Sequence, residues 1–170
     1  ERLIKENPFD VISQKGIRIT IPKRDTYLND IQIGQLITFW YNAKHWNLAP
    51  AHSVTYQGIN FVMLLLASGL RKSEALAMSW HNVDLDNKVL TVEGTKNGTN
   101  HSVPMSSLIG WVLELQREVA GDSPWVFPST RTGKHMTEPK SQLESIKKAT
   151  GLKFTFHDLR RTFATHADAL

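Results

Sequence analysis

Hydrophobic residues recur along much of the chain with a helical period. From Ile33 to Trp40 they fall three or four residues apart, which predicts one face of an amphipathic helix. Asn29 suits the N-cap of this helix because Gln32 follows three residues later. The next apolar segment, YQGINFVMLLLAS, is hydrophobic on nearly all sides. It predicts a central buried helix that starts near Ser53 and ends at Gly69.

The middle of the chain changes to a period of two. Alternation between Val89 and Glu93, followed by the strong hairpin signal Asn97-Gly98, predicts a small antiparallel sheet. Helical patterns surround it: a short one in LRKSEALAMSW, one in SSLIGWVLELQREV after Ser106 or Ser107, and one in EPKSQLESIKKATGL that ends at Gly151. We therefore expect a mainly α fold with one small antiparallel β-sheet, an α+β protein.

The last pattern, TFHDLRRTFATHADAL, predicts a helix with a well-marked start. Thr155 and Asp158 have the spacing of a capping box, and Phe154 and Leu159 that of a hydrophobic staple. At about 100° per residue the helix has two opposite faces. One face carries His157, Arg160 and Arg161. The other carries the apolar set Leu159, Phe163, His166 and Leu170.

Charge is distributed unevenly along the chain. Residues 131–161 contain eight Lys and Arg residues and three acids, a net +5, whereas the remainder carries −1. Cations in the first turn of a helix are unfavourable unless an anion lies nearby, because the helix dipole is positive there. The cationic face of the last helix therefore indicates either a bound phosphate or carboxylate, or a solvated polar face with a paired arginine.

Composition excludes several classes of protein. The chain has 170 residues with 41% hydrophobic content, which is enough for one proper core. It contains no cysteine, so there is no disulfide framework and no thiolate metal site. The histidines other than His157 and His166 lack the spacing of metal ligands. The longest apolar run is too short to span a bilayer, and the N-terminus lacks the apolar core of a signal peptide. We expect no cofactor, no membrane association and a cytoplasmic location.

Two further motifs place a cation beside the end of a helix or the tip of a hairpin. In SGLRKSEAL, Arg71 follows the glycine that ends the most apolar helix, and Glu74 is its obvious local partner. In TKNGTNHSVP, Lys96 stands beside the predicted hairpin tip. Taken singly, each has an ordinary structural interpretation: a helix ion pair for Arg71 and a solvated loop lysine for Lys96.

Taken together and in this order, the motifs SGLRKSEALAMSW, TKNGTNHSVP and HDLRRTFATH resemble the catalytic domain of a tyrosine recombinase of the phage integrase family. The resemblance extends from about Tyr27 to Leu170. It implies that residues 1–26 are a linker or arm from a separate core-binding domain. It further implies that residues 27–170 are the catalytic domain, incomplete at its C-terminus, and of prokaryotic or prophage origin.

The resemblance also implies roles for individual residues. Arg71, His157 and Arg160 match catalytic positions, and Lys96 matches the hairpin lysine of the family. Three further residues match supporting positions: Glu74, Asp158 and Arg161. A nucleophilic tyrosine is expected after the last helix. Tyr27, Tyr41 and Tyr56 all precede Arg71, so none matches it. His166 is too early for the family's further histidine and is expected in or near the core.

The implied reaction is cleavage and rejoining of double-stranded DNA through a 3′-phosphotyrosyl intermediate, with assembly of the full-length protein as a tetramer on its DNA sites. Without the tyrosine, this chain is expected to be inactive alone. Two alternatives remain open at this point. One is a DNA-binding module without catalysis, and the other is a strand transferase similar to type IB topoisomerases. A third interpretation is a helical domain whose surface charges are simply paired with one another.

Overall fold

The computed structural model describes residues 26–45, 54–93, 100–129 and 131–168. Its elements within these ranges, in chain order, are α1 (Asp30–His45), α2 (Tyr56–Ser68), α3 (Lys72–Leu76), a 3₁₀ turn (Trp80–Asn82), β1 (Val83–Asp84), β2 (Val89–Val92), β3 (His101–Pro104), α4 (Ser107–Ala120), α5 (Lys140–Thr150) and α6 (Phe156–Ala167). The predicted class, mainly α with a small antiparallel sheet, is confirmed. None of the described helices is long and apolar enough to cross a membrane.

Helix α2 is the centre of the fold. Apolar side chains cover nearly its whole circumference, and almost every residue from Gly58 to Ser68 is buried. The other five helices all contact it, as expected for a helix that is hydrophobic all round. It begins at Tyr56, slightly later than predicted, because the hydroxyl of Thr55 accepts a hydrogen bond from the Gly58 N–H at 3.0 Å and caps the first turn.

The helix boundaries follow local signals in the sequence. Asn29 and Gln32 each accept a bond from the other's backbone N–H at 3.0 Å and form the reciprocal cap predicted for α1. Ser106, rather than Ser107, caps α4. Gly151 ends α5 with φ of 71°, in the left-handed region that glycine adopts without strain.

The sheet has the order β1-β2-β3 and is antiparallel throughout. Leu90 lies opposite Val83 on one side and Val103 on the other. Leu90 and Val92 point into the core while their neighbours are partly exposed, so the alternation predicted from the sequence is confirmed for this strand. The Asn97-Gly98 hairpin tip lies outside the described residues.

A chain of buried polar groups crosses the core. The indole N–H of Trp40 donates to Asn60 Oδ1 at 2.8 Å, and Asn60 Nδ2 donates to Gln116 Oε1 at 3.1 Å. Gln116 then donates to the carbonyl of Val126 at 2.8 Å. These bonds connect α1, α2 and α4 to one another. They also give each of these buried side chains a hydrogen-bond partner, as buried polar atoms require.

Candidate active site

The end of α2 forms a turn that brings Arg71 to the surface. Gly69 has φ of 63°, and its N–H donates to the carbonyl of Leu65 at 3.0 Å, which ends the helix. Leu70 then returns to the core and is only 2% exposed. Arg71 is the N-cap of α3, and 53% of its side chain is exposed. A guanidinium is therefore held at the junction between the most buried helix and the solvent.

Glu74 holds Arg71 at two points. One carboxylate oxygen of Glu74 accepts from the backbone N–H of Arg71 at 2.8 Å, and the other accepts from the Arg71 guanidinium at 2.7 Å. The Glu74 side chain is almost fully buried. The local ion pair expected from the sequence is thus present, and it fixes the orientation of the guanidinium instead of leaving it free in solvent.

Cations from two separate motifs affect the pKa of Glu74. Burial alone would raise the pKa of Glu74, but its hydrogen bonds to Arg71 and the positive charges of Arg71 and Arg160 outweigh burial, and the pKa lies below its ordinary value. Arg160 is far from Glu74 in sequence. Its positive charge is the smallest of the effects that lower this pKa.

Helix α6 carries the second group of cations. Thr155 and Asp158 form the predicted capping box: the Thr155 hydroxyl accepts from the Asp158 N–H at 3.2 Å, and Asp158 accepts from the Thr155 N–H at 2.9 Å. Phe154 and Leu159, the predicted staple pair, are both buried. His157 therefore falls in the first turn and is exposed, on the same side of the helix as Arg160.

Arg160 connects the two motifs. Its guanidinium donates to the carbonyl oxygen of Gly69, two residues before Arg71. The ring of Phe163 also packs on Gly69, so closely that a Cβ there would collide with it. Phe163 is 37% exposed, so the predicted apolar face is only partly buried at this position. Its ring covers the end of α2 at the edge of the core instead of entering it.

Asp158 and Arg161 have structural contacts. Asp158 accepts from the hydroxyls of Thr155 at 2.8 Å and of Thr26 at 2.6 Å, and the Arg161 guanidinium lies 3.7 Å from it. Burial would raise the pKa of Asp158, but these hydrogen bonds and the charge of Arg161 together lower it. The carboxylate is ionised and holds the first turn of α6 in place.

The remaining candidates fall into two groups. His166 is half-buried, with Nε2 3.2 Å from the carbonyl of Leu28 and Nδ1 3.5 Å from Asp30, which is the near-core role expected of it. Lys96 lies outside the described residues, so its place beside the arginines stays a prediction. The structure brings Arg71, Glu74 and Arg160 together, with His157 on the adjoining turn. Their catalytic roles also stay predictions.

Lys72 is a cation near this cluster that sequence patterns did not single out. Its Nζ lies 6.0 Å from the centroid of the Phe156 ring, at the start of α6, and 3.8 Å from Glu138. Its position directly after Arg71 was the available signal. Among the described residues, no group of three His, Asp or Glu side chains could hold a metal ion.

A groove of about 490 Å³ opens beside Glu74, between α3 and the sheet. Its lining residues are Ser73, Glu74, Ala77, Met78, Asn82, Thr91, Val92 and Glu93. Two of them are carboxylates, so this groove does not itself suit a phosphate. Glu93, one of the lining residues, is the last described residue before residues 94–99, which include Lys96.

Comparison with known sequences identifies a family. The model of the phage integrase family matches residues 28–167. The chain is 34% identical to tyrosine recombinase XerA of Pyrococcus furiosus over 110 residues, which cover 62% of this chain and 38% of the relative. It is also 34% identical to tyrosine recombinase XerC of Erythrobacter litoralis over 172 residues, covering 98% of this chain and 53% of the relative.

Solved structures share the fold. The Tn1549 transposon integrase, in complex with circular intermediate DNA, matches with a TM-score of 0.69 at 21% identity over 97% of this chain and 59% of that one. The crystal structure of XerA recombinase matches with a TM-score of 0.63 at 21% identity, over 92% and 57%. The chain thus spans from about two fifths to three fifths of the lengths of these relatives.

Proposed function

Since the chain belongs to the phage integrase family of tyrosine recombinases, we propose that it carries the phosphate-binding part of a site-specific DNA recombinase. The reaction is cleavage and rejoining of duplex DNA. Membership of this family excludes a helical domain that merely carries paired surface charges. The spacing of the motifs favours a recombinase over a topoisomerase.

The observation that carries the proposal is the turn from Gly69 to Arg71, hereafter the junction, where Arg160 bonds the Gly69 carbonyl and Glu74 holds Arg71. The Arg160 guanidinium bonds the turn that presents Arg71, and the Arg71 side chain remains half-exposed. A guanidinium presents paired N–H donors that match the non-bridging oxygens of a phosphate. Two of them, oriented by protein contacts beforehand, require little reorganisation when a negative charge develops.

The chemistry assigns a task to each group. A tyrosine oxygen attacks the scissile phosphorus, the bond to the 5′-oxygen breaks, and the products are a 3′-phosphotyrosyl bond and a free 5′-hydroxyl. Arg71 and Arg160 compensate the charge of the pentacoordinate transition state. His157 hydrogen-bonds the phosphate or manages the tyrosine proton, and Lys96 protonates the leaving 5′-oxygen.

We also propose that none of the tyrosines of this chain is the nucleophile, since Tyr27, Tyr41 and Tyr56 all precede Arg71. The nucleophile is then supplied from beyond the last helix. On DNA sites the full-length recombinase assembles as a tetramer, and it acts in the cytoplasm of a prokaryotic host. The bacterial, archaeal and phage sources of the relatives support this setting.

A covalent trapping assay tests the proposal. The chain, and the natural gene product that contains it, are incubated with a nicked suicide substrate and resolved on a denaturing gel. We expect the gene product to form a 3′-phosphotyrosyl adduct and the 170-residue chain alone to form none. An adduct formed by the chain alone would mean that one of its three tyrosines is the nucleophile.

Matched variants assign the adduct to the site. Arg71→Ala or Arg160→Ala in the gene product should slow adduct formation by about 10²–10³, while DNA affinity changes little, because binding uses many phosphates and the transition state only one. Lysine should rescue poorly, since a point charge cannot replace the paired donors. Arg131→Ala, an exposed arginine outside both motifs, is the control. Equal losses in all three variants would refute the assignment.

A DNA-binding module that does not cleave is the second candidate, and the position of all three tyrosines before Arg71 favours it for this chain taken alone. In that case the gene product binds duplex DNA and forms no adduct under any condition.

A further inference from the structure

A stripe of polar side chains on α6 binds the segment that leads into α1. Asp158, Thr162 and His166 lie four residues apart, so they share one side of the helix. Each contacts a residue of the segment 26–30, hereafter the docking segment. The contacted residues are two apart: Thr26, Leu28 and Asp30.

The two spacings match physically. Four residues of α-helix rise about 6 Å, and two residues of extended chain rise about 6.6 Å. The docking segment therefore runs beside α6 in the same direction and contacts three successive turns, with His166 also 3.2 Å from the Leu28 carbonyl. The hydroxyl of Thr26 donates to Asp158 Oδ1 at 2.6 Å, and the Leu28 N–H donates to Thr162 Oγ1 at 2.9 Å.

The middle contact is sealed from solvent. Leu28 is 2% exposed and Thr162 is 1% exposed. The Thr162 hydroxyl accepts from Leu28 and donates to the Asp158 carbonyl at 2.7 Å, so both of its capacities are used. A buried and fully paired contact of this kind has one low-energy geometry, because any rotation of α6 would leave the Leu28 N–H without a partner.

His157 and Arg160 lie on the other side of the same helix. Taking Asp158, Thr162 and His166 as the bound stripe, the helical period turns His157 and Arg160 away from it by roughly 100° or more. A rotation of α6 about its axis would move both cations relative to Arg71. The contacts of the docking segment oppose this rotation on the side of α6 away from the Gly69 turn.

We infer that Thr26 and Thr162 are positioning residues for the reaction: the docking segment fixes the rotation of α6, and thereby the placement of His157 and Arg160 at the phosphate. This inference rests on the proposed function for its catalytic consequence, and on the contacts alone for its structural one.

The test compares Thr26→Val, which keeps the shape but removes the donor, with Thr26→Ser, which keeps the donor. In the gene product, Thr26→Val should lower the rate of adduct formation at saturating DNA by about ten- to a hundredfold, since small displacements of catalytic groups have effects of that size. The DNA concentration for half-saturation should change less than about twofold, and Thr26→Ser should restore the rate.

Thr55→Val is the matched control, because it removes the N-cap of α2 and destabilises the fold without touching α6. It should leave the rate at saturating DNA unchanged well below its unfolding temperature. A wild-type rate in Thr26→Val, or equal slowing in Thr55→Val, would overturn the inference.

Spectroscopy of the chain itself separates this inference from the proposed function. If the wild-type gene product forms no adduct, the proposed function fails, and the inference is judged by NMR of the 170-residue chain. The Arg160 Nε–H and His157 ring signals should shift in Thr26→Val, return in Thr26→Ser and stay in place in Thr55→Val. Unchanged signals in Thr26→Val would refute the positioning role on structural grounds.

Discussion

The guanidinium of Arg160 donates to the carbonyl oxygen of Gly69, so the last described helix is bonded to the turn that presents Arg71. Three features meet at this one glycine. It ends α2 in the left-handed conformation, it accepts from Arg160, and it receives the ring of Phe163. The geometry of the proposed phosphate site thus depends on a residue that has no side chain.

Substitution of Gly69 by alanine should be destabilising for two separate reasons. Its positive φ is unfavourable for residues with a Cβ, and the new Cβ would collide with the Phe163 ring. We expect a loss of about 1–3 kcal/mol in the free energy of unfolding, measured by urea denaturation. Adding Phe163→Ala to Gly69→Ala should recover the steric part only.

Gly34→Ala provides the opposite case. Gly34 lies in the interior of α1, is exposed, and has no neighbouring atom within 4 Å of the position that a Cβ would take. Alanine should raise the free energy of unfolding by about 0.5–1 kcal/mol because helical glycine loses more backbone entropy. A similar loss from both substitutions would contradict the role assigned to the Gly69 turn.

Asp158→Asn should show a characteristic dependence on pH. The folded protein lowers the pKa of Asp158 below its ordinary value of 3.8, so the ionised carboxylate stabilises the fold above that pH. This stabilisation disappears as the pH falls through the lower, folded-state pKa. At pH 7 the variant should lose about 1–3 kcal/mol, since hydrogen bonds to a charged group are removed.

Urea denaturation of the wild type and Asp158→Asn across this pH range provides the check. The gap between them should narrow once the pH drops below about 3.8, where protonation removes the same charge from the wild type. A gap that stays constant from about pH 7 to about pH 3 would show that the charge of Asp158 does not support the fold.

Asn60 should tolerate an apolar replacement poorly despite its place in the most hydrophobic helix. Asn60→Leu would leave the indole N–H of Trp40 and the Oε1 of Gln116 buried without partners. We expect a loss of about 2–4 kcal/mol in the free energy of unfolding, because each unsatisfied buried group costs about 1–3 kcal/mol. Calorimetry of Asn60→Leu measures this loss. Leu64→Met is the control, because it leaves no buried polar group without a partner.

Binding to duplex DNA should weaken with salt, with a slope of log K against log salt near about −0.9 for each phosphate contacted. Lys153 is exposed between the buried residues Leu152 and Phe154, just before α6. Lys153→Gln should reduce this slope by about 1 and weaken binding to unrelated sequences equally. Fluorescence anisotropy between about 50 and 200 mM salt measures the slope and the affinity for unrelated sequences.

Lys147→Gln is the control for that titration. Its ammonium group already contacts Glu144 at 2.9 and 3.1 Å, so a phosphate would have to displace an existing partner. It should change the slope less than Lys153→Gln. An affinity that does not respond to salt in the wild type would contradict an electrostatic DNA surface.

Signals that act within a few residues could be recognised in the sequence. The capping box at Thr155 and Asp158, the helix-ending glycines 69 and 151, and the all-round hydrophobicity of α2 each depend on neighbours one or two turns away. For such features the local chain contains the whole physical cause. The ion pair of Arg71 with Glu74 belongs to the same class, because the two residues are three apart.

Contacts between distant segments were decided by the tertiary structure. A helical wheel states the angle of Phe163 or His166 but not which neighbour lies at that angle, so it could not reveal that Phe163 covers Gly69. Nor could it assign Thr26 as the partner of Asp158, 132 residues away. The sequence by itself determined which residues carry charge and, to within a few residues, where helices start and stop. Only the packing of α6 against α2 and the docking segment decided that Arg71 and Arg160 lie at one turn, because that depends on which surfaces are buried together.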